Sequence, residues 1–291
     1  VIIYLGATGK LVTSVNPTVQ GIRNLAAKKE VNLKEKGPLS ELAMNINQTS
    51  QTLRLQERDL RKRENARANW IEGVSHDIRT PLSMVMGYAG QLEDNSNLSL
   101  LERKKASIIL RQSEKMRDLI NDLNLASKLE YNMQPINMKK LNILALVRQV
   151  IVDFLNNDLE DNHPILLETD GNTGSFYVQA DEDLIKRALT NLIQNAINHN
   201  ENGCTIYISL GNTLEKSTIT IADDGVGASD KQIDKLNNTP HYMISDDSTT
   251  EQRHGLGLLL VKQIMESHNG KMRIDQSHYG GFSVTLEFLK Y

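Results

Sequence analysis

The sequence predicts a multidomain chain: an all-α stretch, built as a dimeric coiled coil and four-helix bundle, followed by an α+β sandwich. Three observations carry this expectation. Apolar residues recur at spacings of three and four from Pro17 to about Tyr131, with charged residues between them, the pattern of amphipathic helices. After Pro135 helical patterns mix with alternating, strand-like ones. A chain of 291 residues is too long for one small core and suggests roughly two or three units.

At the N-terminus, Val1-Ile2-Ile3-Tyr4-Leu5-Gly6-Ala7 is an apolar stub too short to span a bilayer. It reads as the end of a transmembrane helix covering residues 1–12, the alternative being an ordinary short N-terminus. Pro17 then opens a short amphipathic helix with Val19, Ile22 and Leu25. A connector with Val31, Leu33 and Gly37 follows, and a second helix runs through Leu42, Ile46, Thr49, Leu53 and Leu60. Such a helix pair cannot bury its stripe alone, which implies a parallel dimer. Arg54 to Arg67 is crowded with both charges, as on the solvated face of a coiled coil, and continues as one helix into the next segment.

That segment holds Ser75-His76-Asp77-Ile78-Arg79-Thr80-Pro81-Leu82. Ile71, Val74, Ile78, Leu82, Val85, Ala89 and Leu92 form its apolar stripe, and His76 lies off the stripe, facing outward. Arg79 and Thr80 neighbour His76 one turn on, with Asp77 on the adjoining flank. Pro81 has no N–H, so the carbonyl of Asp77 loses its helical partner. Free imidazole titrates near ~6.5 and offers a lone pair for attack on phosphorus at neutral pH. Asp77 is the candidate base, able to hold the other ring N–H, and Thr80 could orient a water for the reverse hydrolysis. Asp94 to Ser99 breaks the helix, and a second one runs to about Tyr131 with Met116, Leu119, Leu123 and Ala126 on its apolar side. Two such hairpins make a four-helix bundle, with Met84, Met86 and Met116 as core fillers.

In the second half, Asp181 is the expected N-cap of a helix to His199 whose buried face is Leu184, Ala188, Leu189, Leu192, Ile193 and Ala196. Asn191, Asn195 and Asn198 or His199 fall on its other face, and an amide oxygen is a suitable hard ligand for Mg²⁺. Two strands, Thr205 to Leu210 and Ser217 to Ala222, precede Asp223-Asp224-Gly225-Val226-Gly227, where a carboxylate ends a strand and two glycines allow a tight turn. Gly255-Leu256-Gly257-Leu258 leads into a helix with Leu259, Leu260, Val261, Ile264 and Met265, a place where free backbone N–H groups meet an anion. Gly280 to Phe288 alternates as a terminal strand.

The octet around His76 closely resembles the H-box of bacterial two-component sensor histidine kinases. Asn191-Leu192-Ile193-Gln194-Asn195-Ala196 is similar to that family's N-box, Asp223 to Gly227 to its G1 box and Gly255 to Leu258 to its G2 box, in family order over residues 65–291. The resemblance implies that His76 is autophosphorylated from ATP and that an aspartate in the receiver domain of a response regulator then takes the phosphoryl group. It implies that Asn195 holds Mg²⁺ and that Asp223 accepts a hydrogen bond from the adenine amino group. Asn191, His199, Gly225, Gly227, Gly255, Leu256 and Gly257 would complete the nucleotide site. By the same resemblance residues 63–134 are the dimerisation and histidine phosphotransfer domain (DHp), and 138–291 the catalytic ATP-binding domain of GHKL, or Bergerat, type. Residues 13–62 resemble a HAMP signal relay through Glu41-Leu42-Ala43 and Asn47, with Gly37-Pro38-Leu39-Ser40 in place of the usual acidic pair and glycine. The whole would be the cytoplasmic portion of a membrane-anchored, homodimeric bacterial protein.

Two departures stand out. Asn198 occupies a slot that carries lysine or arginine in many relatives, leaving positive charge to His199, Lys262 or Arg253, or absent. The lid segment Ala228 to His254 lacks the usual phenylalanines and offers only Tyr242 and Met243 as bulky anchors. A catalytically weak scaffold or a protein acting chiefly as regulator phosphatase is therefore the alternative. A nucleotide hydrolase of the gyrase or heat-shock type would lack the His76 octet.

Composition agrees. A net charge of −3 gives no electrostatic footprint for nucleic acid. The single cysteine, Cys204, cannot form an intramolecular disulfide and points to a reducing compartment. The seven histidines show no ligand spacing.

Overall fold

The computed structural model describes residues 15–156, 162–169, 176–213, 215–238 and 255–289. It divides into two compact units, Val1–Asn69 and Trp70–Tyr291. The apolar stub Val1 to Ala7 lies outside the described residues, among which no helix is long and apolar enough to cross a membrane.

In the first unit, α1 is described over residues 15–26, with Pro17 in its first described turn. An extended connector then lies along the start of α2 (Ser40–Glu93). One side chain fixes it: the Leu33 N–H donates to Asn47 Oδ1 at 2.7 Å while Asn47 Nδ2 donates to the Leu33 carbonyl at 2.8 Å. The amide of Asn47 thus pairs with a peptide group as a neighbouring strand would. The Val31 N–H donates to Ser50 Oγ at 3.3 Å, Arg54 pairs with Glu30, and Val31, Ala43 and Ile46 are buried beneath. Asn47 and the connector residues Val31 and Leu33 are those the sequence singled out.

In the second unit α2 runs without interruption past Pro81 to Glu93, so the charged stretch and the His76 segment do belong to one helix. The protein's single tryptophan, Trp70, is exposed on it. Ser99 caps α3 (Leu100–Glu130) in a reciprocal arrangement: the Glu102 N–H donates to Ser99 Oγ, and the Ser99 N–H to Glu102 Oε2. The two helices run antiparallel, bridged by Arg103 Nε to the Glu93 carbonyl, Arg79 Nη2 to Asn121 Oδ1 and Lys128 Nζ to Glu72 Oε1.

The expected apolar stripe on α2 divides in two. Leu82 and Ala89 are buried together with Ser75, at intervals of seven, and α3 answers with Ala106, Ser113 and Ser127 on the same heptad track. Val74, Ile78, Val85 and Leu92 are exposed. In the single chain Met84 and Met116 are about half exposed, on the flanks of this hairpin. A two-helix hairpin has one internal seam, and small residues fill it; the larger apolar residues flank it.

The C-terminal part places α4 (Ile143–Leu155), α5 (Glu182–His199) and α7 (Gly255–Ser267) against one sheet. Its strands are β2 (Ile165–Thr169), β4 (Ile206–Asn212), β5 (Lys216–Asp223), β7 (Phe282–Leu289) and β6 (Lys271–Gln276), in that spatial order, with β2 parallel to β4 and the remaining pairs antiparallel. A small sheet pairs β1 (Lys139–Asn142) with β3 (Tyr177–Ala180), and α6 (Asp230–Asn238) follows β5. Alternation supplies the core: Ile206, Ile208 and Leu210 on β4, Ile219 and Ile221 on β5, and Val284, Leu286 and Phe288 on β7 are buried against the helices. Ala126 and Leu129 of α3 join this core, so the end of the hairpin packs with the sandwich.

Candidate active site

The candidate site is built where β5 ends. Register places Ile206 opposite Asp223 on one side and Ala222 opposite Ser283 on the other, which sets the first residue of β7, Phe282, beside Asp223. Asp223 is buried, and its Oδ1 accepts from the N–H groups of Gly225 at 2.9 Å and Phe282 at 3.2 Å. Burial pushes its carboxyl above the usual range, opposed by these two N–H donors and the Asn200 amide. A carboxylate can accept further hydrogen bonds, so capacity remains for an amino group in the adjoining cavity.

Asn200, the C-cap of α5, holds the loop that follows. Its Oδ1 accepts from the Val226 N–H at 2.9 Å, its Nδ2 donates to the Ala196 carbonyl, and its own carbonyl accepts from His163 Nε2 at 2.8 Å. Gly225 has to be glycine here, because a Cβ would lie 1.9 Å from Asn200 Oδ1. Gly227 turns the chain with φ +67°. Cys204 is buried nearby, and burial with the charges of Asp223 and Asp224 pushes its thiol up to about 11, keeping it protonated at neutral pH.

Two adjoining hollows result. The inner one is walled by apolar Leu192, Ala196, Ile221, Phe282 and Val284, and edged by Asn195, His199, Asn200, Asp223 and Gly227. The outer cleft lies between α3 and α5, lined by Lys115, Met116, Leu119 and Asp122 from α3, by Asn191, Asn195, Asn198 and His199 from α5, and by Leu256 and Gly257 at the start of α7. Asn195 and His199 face both hollows. A flat apolar slot with a buried carboxylate fits a purine carrying an amino group. An outer cleft of amide side chains beside glycines in a helical first turn fits a phosphate chain with a hard cation.

The site residues expected from the sequence sort accordingly. Asn195, His199, Asp223 and Gly227 edge the inner hollow, while Asn191, Leu256 and Gly257 reach the outer one. Gly257 sits close to α5, where a Cβ would lie 3.4 Å from Asn191 Oδ1. Gly225 shapes the loop from beneath. Gly255 is the first described residue of α7, so the glycines lie inside its opening turn rather than ahead of it. Strands β4 and β5 each run slightly further than expected. Of the lid, residues up to Asn238 are described; Tyr242, Met243 and Arg253 lie outside the described residues.

His76, Asp77 and Thr80 stand apart on α2, exposed and lining neither hollow. His76 Nδ1 is 3.6 Å from Asp77 Oδ1, longer than a hydrogen bond, and the His76 side chain is 75% exposed. The candidate residues are thereby divided between a buried cavity and an open histidine.

Four contributors escaped the sequence reading: Asn200, Gly281, and the pair Asp122–Arg187. Gly281 is pressed against the site, where a Cβ would lie 2.2 Å from Asp223 Oδ1. Arg187 Nε and Nη2 donate to Asp122 Oδ1 at 2.8 and 2.6 Å, joining α5 to α3. Asp122 is buried, which raises its carboxyl despite the Arg187 guanidinium.

Comparison with known proteins agrees with this division. Residues 66–132 match the His Kinase A (phospho-acceptor) domain, and residues 180–291 match the histidine kinase-, DNA gyrase B- and HSP90-like ATPase domain. The chain is 31% identical over 252 residues to sensor histidine kinase YvrG of Bacillus subtilis strain 168, covering 86% of this chain and 43% of that protein. It spans about half the length of the first curated relatives it matches. In fold it is similar to full-length ShkA, solved in complex with AMPPNP (TM-score 0.60, 20% identity, 76% of this chain and 45% of that one). It is also similar to histidine kinase ThkA, solved in complex with response regulator protein TrrA (TM-score 0.55, 23% identity, 81% of this chain and 65% of that one). A phospho-acceptor helical hairpin followed by this ATPase domain, in a chain related to sensor kinases along most of its length, places the protein in the two-component sensor histidine kinase family.

Proposed function

We propose that this chain is the kinase core of a sensor protein that uses Mg-ATP to phosphorylate His76 and hands the phosphoryl group to an aspartate of a response regulator's receiver domain. The observation that carries this reading is the coexistence of an exposed histidine on a phospho-acceptor hairpin with a cavity ending in the buried carboxylate of Asp223. Asp223 accepts from the base's amino group, and Leu192, Ile221 and Val284 enclose its faces. Asn195 holds Mg²⁺, which when bound neutralises phosphate charge; Asn191, His199 and the opening turn of α7, Gly255 to Gly257, line the phosphates' path.

At the acceptor, Asp77 lies on the Nδ1 side of His76 at 3.6 Å, and a small side-chain rotation brings it to accept the Nδ1 proton, leaving Nε2 to attack. A nitrogen–phosphorus bond forms as the bond from the terminal phosphorus to the bridging oxygen breaks, and ADP leaves with that oxygen. The protein contributes positioning and charge. Because His76 lines neither hollow, the nucleotide domain has to approach it for transfer. Residues 13–62 act as a HAMP-like relay in a homodimer, anchored to a membrane through residues preceding them.

A second reading, a protein working mainly as regulator phosphatase, is favoured by one feature: Thr80 is exposed one turn from His76 while the nucleotide domain is engaged with α3. There Thr80 orients the attacking water.

The test is incubation with γ-labelled ATP and Mg²⁺. Acid-labile, alkali-stable label is expected on the parent chain and absent from His76→Ala and Asn195→Ala. A parent chain that binds ATP and takes no label overturns the autokinase reading; Thr80-dependent loss of regulator phosphate would then establish the second.

A further inference from the structure

The outer cleft receives the phosphate chain, on the reading above, yet its α5 wall, Asn191, Gln194, Asn195, Asn198 and His199, offers no lysine or arginine, and Asp122 and Glu201 add acidic groups to the lining. A triphosphate with one Mg²⁺ still carries net negative charge, and proteins that bind it supply a cation at close quarters. Arg187, the nearest cation on α5, is committed to the buried Asp122. Across the cleft, α3 contributes Lys115, which lines both this cleft and its continuation along α5 towards Arg187 and Asn198. Its side chain is exposed and enters no ion pair or hydrogen bond described for the chain, although Asp118 lies one turn on.

The geometry points to Lys115 as the residue that binds the terminal phosphate of ATP, a cation lent to the nucleotide site by the phosphotransfer hairpin. The path of the ligand sets the order of contacts. The base is anchored at Asp223, the chain passes Asn195 and His199, which face both hollows, and its far end meets the α3 wall. The Asp122–Arg187 pair, two turns along α3 from Lys115, ties that wall to α5 and keeps the ammonium at the mouth of the cleft. This assignment rests on the nucleotide reading of the cavity, and its test separates the two.

Affinities of the full chain for Mg-ATP and Mg-ADP are measured for the parent, Lys115→Gln, Lys115→Arg and Asn195→Ala. Lys115→Gln is expected to weaken ATP roughly tenfold while changing ADP less than about threefold, the loss of one charge-assisted contact to the last phosphate. Lys115→Arg keeps the preference for ATP, and salt narrows the difference between parent and Lys115→Gln. Unchanged ATP affinity in Lys115→Gln, with Asn195→Ala impaired, overturns the role of Lys115 and leaves the nucleotide site standing. Equal weakening of ATP and ADP overturns the assignment to the terminal phosphate. Absence of saturable ATP binding in the parent removes the site and the assignment together. The position is exposed, so an unchanged thermal midpoint verifies that Lys115→Gln is folded.

Discussion

The two halves of the second unit handle their chemistry in opposite ways. In the sandwich, Asp223 and Asn200 are buried and fixed by backbone hydrogen bonds, and Gly225 and Gly281 leave no room for even a methyl group. On the hairpin, His76 is 75% exposed, with no hydrogen bond holding its ring to Asp77. A binding site gains from preorganisation, because geometry fixed in advance is not charged against the ligand. A phosphoryl carrier has to meet a nucleotide domain and then a receiver, and only an open side chain serves both.

The contrast predicts very different tolerance to substitution. Gly281→Ala is the severest case: its Cβ would meet Asp223 Oδ1, the Asp223 carbonyl and the Gly225 nitrogen, all within 2.6 Å. Destabilisation of about 3 kcal/mol and loss of ATP binding are expected from urea unfolding and titration with nucleotide. A silent Gly281→Ala would mean that the strand end yields and the site is less rigid than its packing implies.

Next comes Arg187→Ala, which leaves the Asp122 carboxylate buried without its partner and should cost about 2 to 3 kcal/mol at neutral pH. Restoration of most of this by Asp122→Asn in the same chain would identify the orphaned charge as the cause. Additive losses would instead assign the effect to packing.

Asp223→Asn separates stability from binding. Burial raises the folded carboxyl above its unfolded value, near ~3.9. The preference of this group for the folded state is complete below the unfolded value and is lost as pH rises through the raised folded one. The nucleotide-free variant should therefore be more stable than the parent at neutral pH, with the advantage fading below about pH 4. Its ATP affinity should fall tenfold or more, since an amide can present a donor where the ligand also donates. Thermal midpoints across pH, with and without ATP, check both signs.

The smallest effect belongs to the hairpin. Gly87, inside α2 and six residues before its end, has nothing within 4 Å of a built Cβ. Gly87→Ala should stabilise by about 1 kcal/mol through helix propensity alone, seen as a higher urea midpoint. Destabilisation would show that a second surface closes on this face.

What was readable in the sequence follows from how far apart the cooperating residues lie. The octet at His76, the cap at Asp181 and the Asp223 to Gly227 run are local: cap and turn chemistry mark the last two as structure, and the resemblance to the family's boxes marks the octet and the Asp223 run as sites. Asn47 was singled out through the resemblance to a HAMP helix, and its pairing with the Leu33 peptide group came only with the structure. The Asp122–Arg187 pair joins residues on two helices that sequence spacing does not relate, and each alone looks like an ordinary surface charge. Asn200 was hidden by its neighbours, since an asparagine after a helix serves as a cap whether or not it also holds a catalytic loop. The apolar stripes of α2 and α3 were legible as amphipathic, but a seam of period seven and the apolar residues that flank it look like one broad stripe. Only burial distinguishes Leu82 and Ala89 inside from Ile78 and Val85 outside.

The lone tryptophan gives the molecule an optical tag in a useful place. Trp70 is 67% exposed on α2, six positions before His76, about 9 Å along the axis at the helical rise. No other indole competes with it, so the emission of a water-exposed indole comes from α2 alone. If the proposed transfer is right, nucleotide entering the cavity without rearrangement should leave that light unchanged, whereas arrival of the ATPase domain at His76 should dry the indole and shift it to the blue. Ligand occupancy and domain closure can thus be timed separately in one cuvette, without a label.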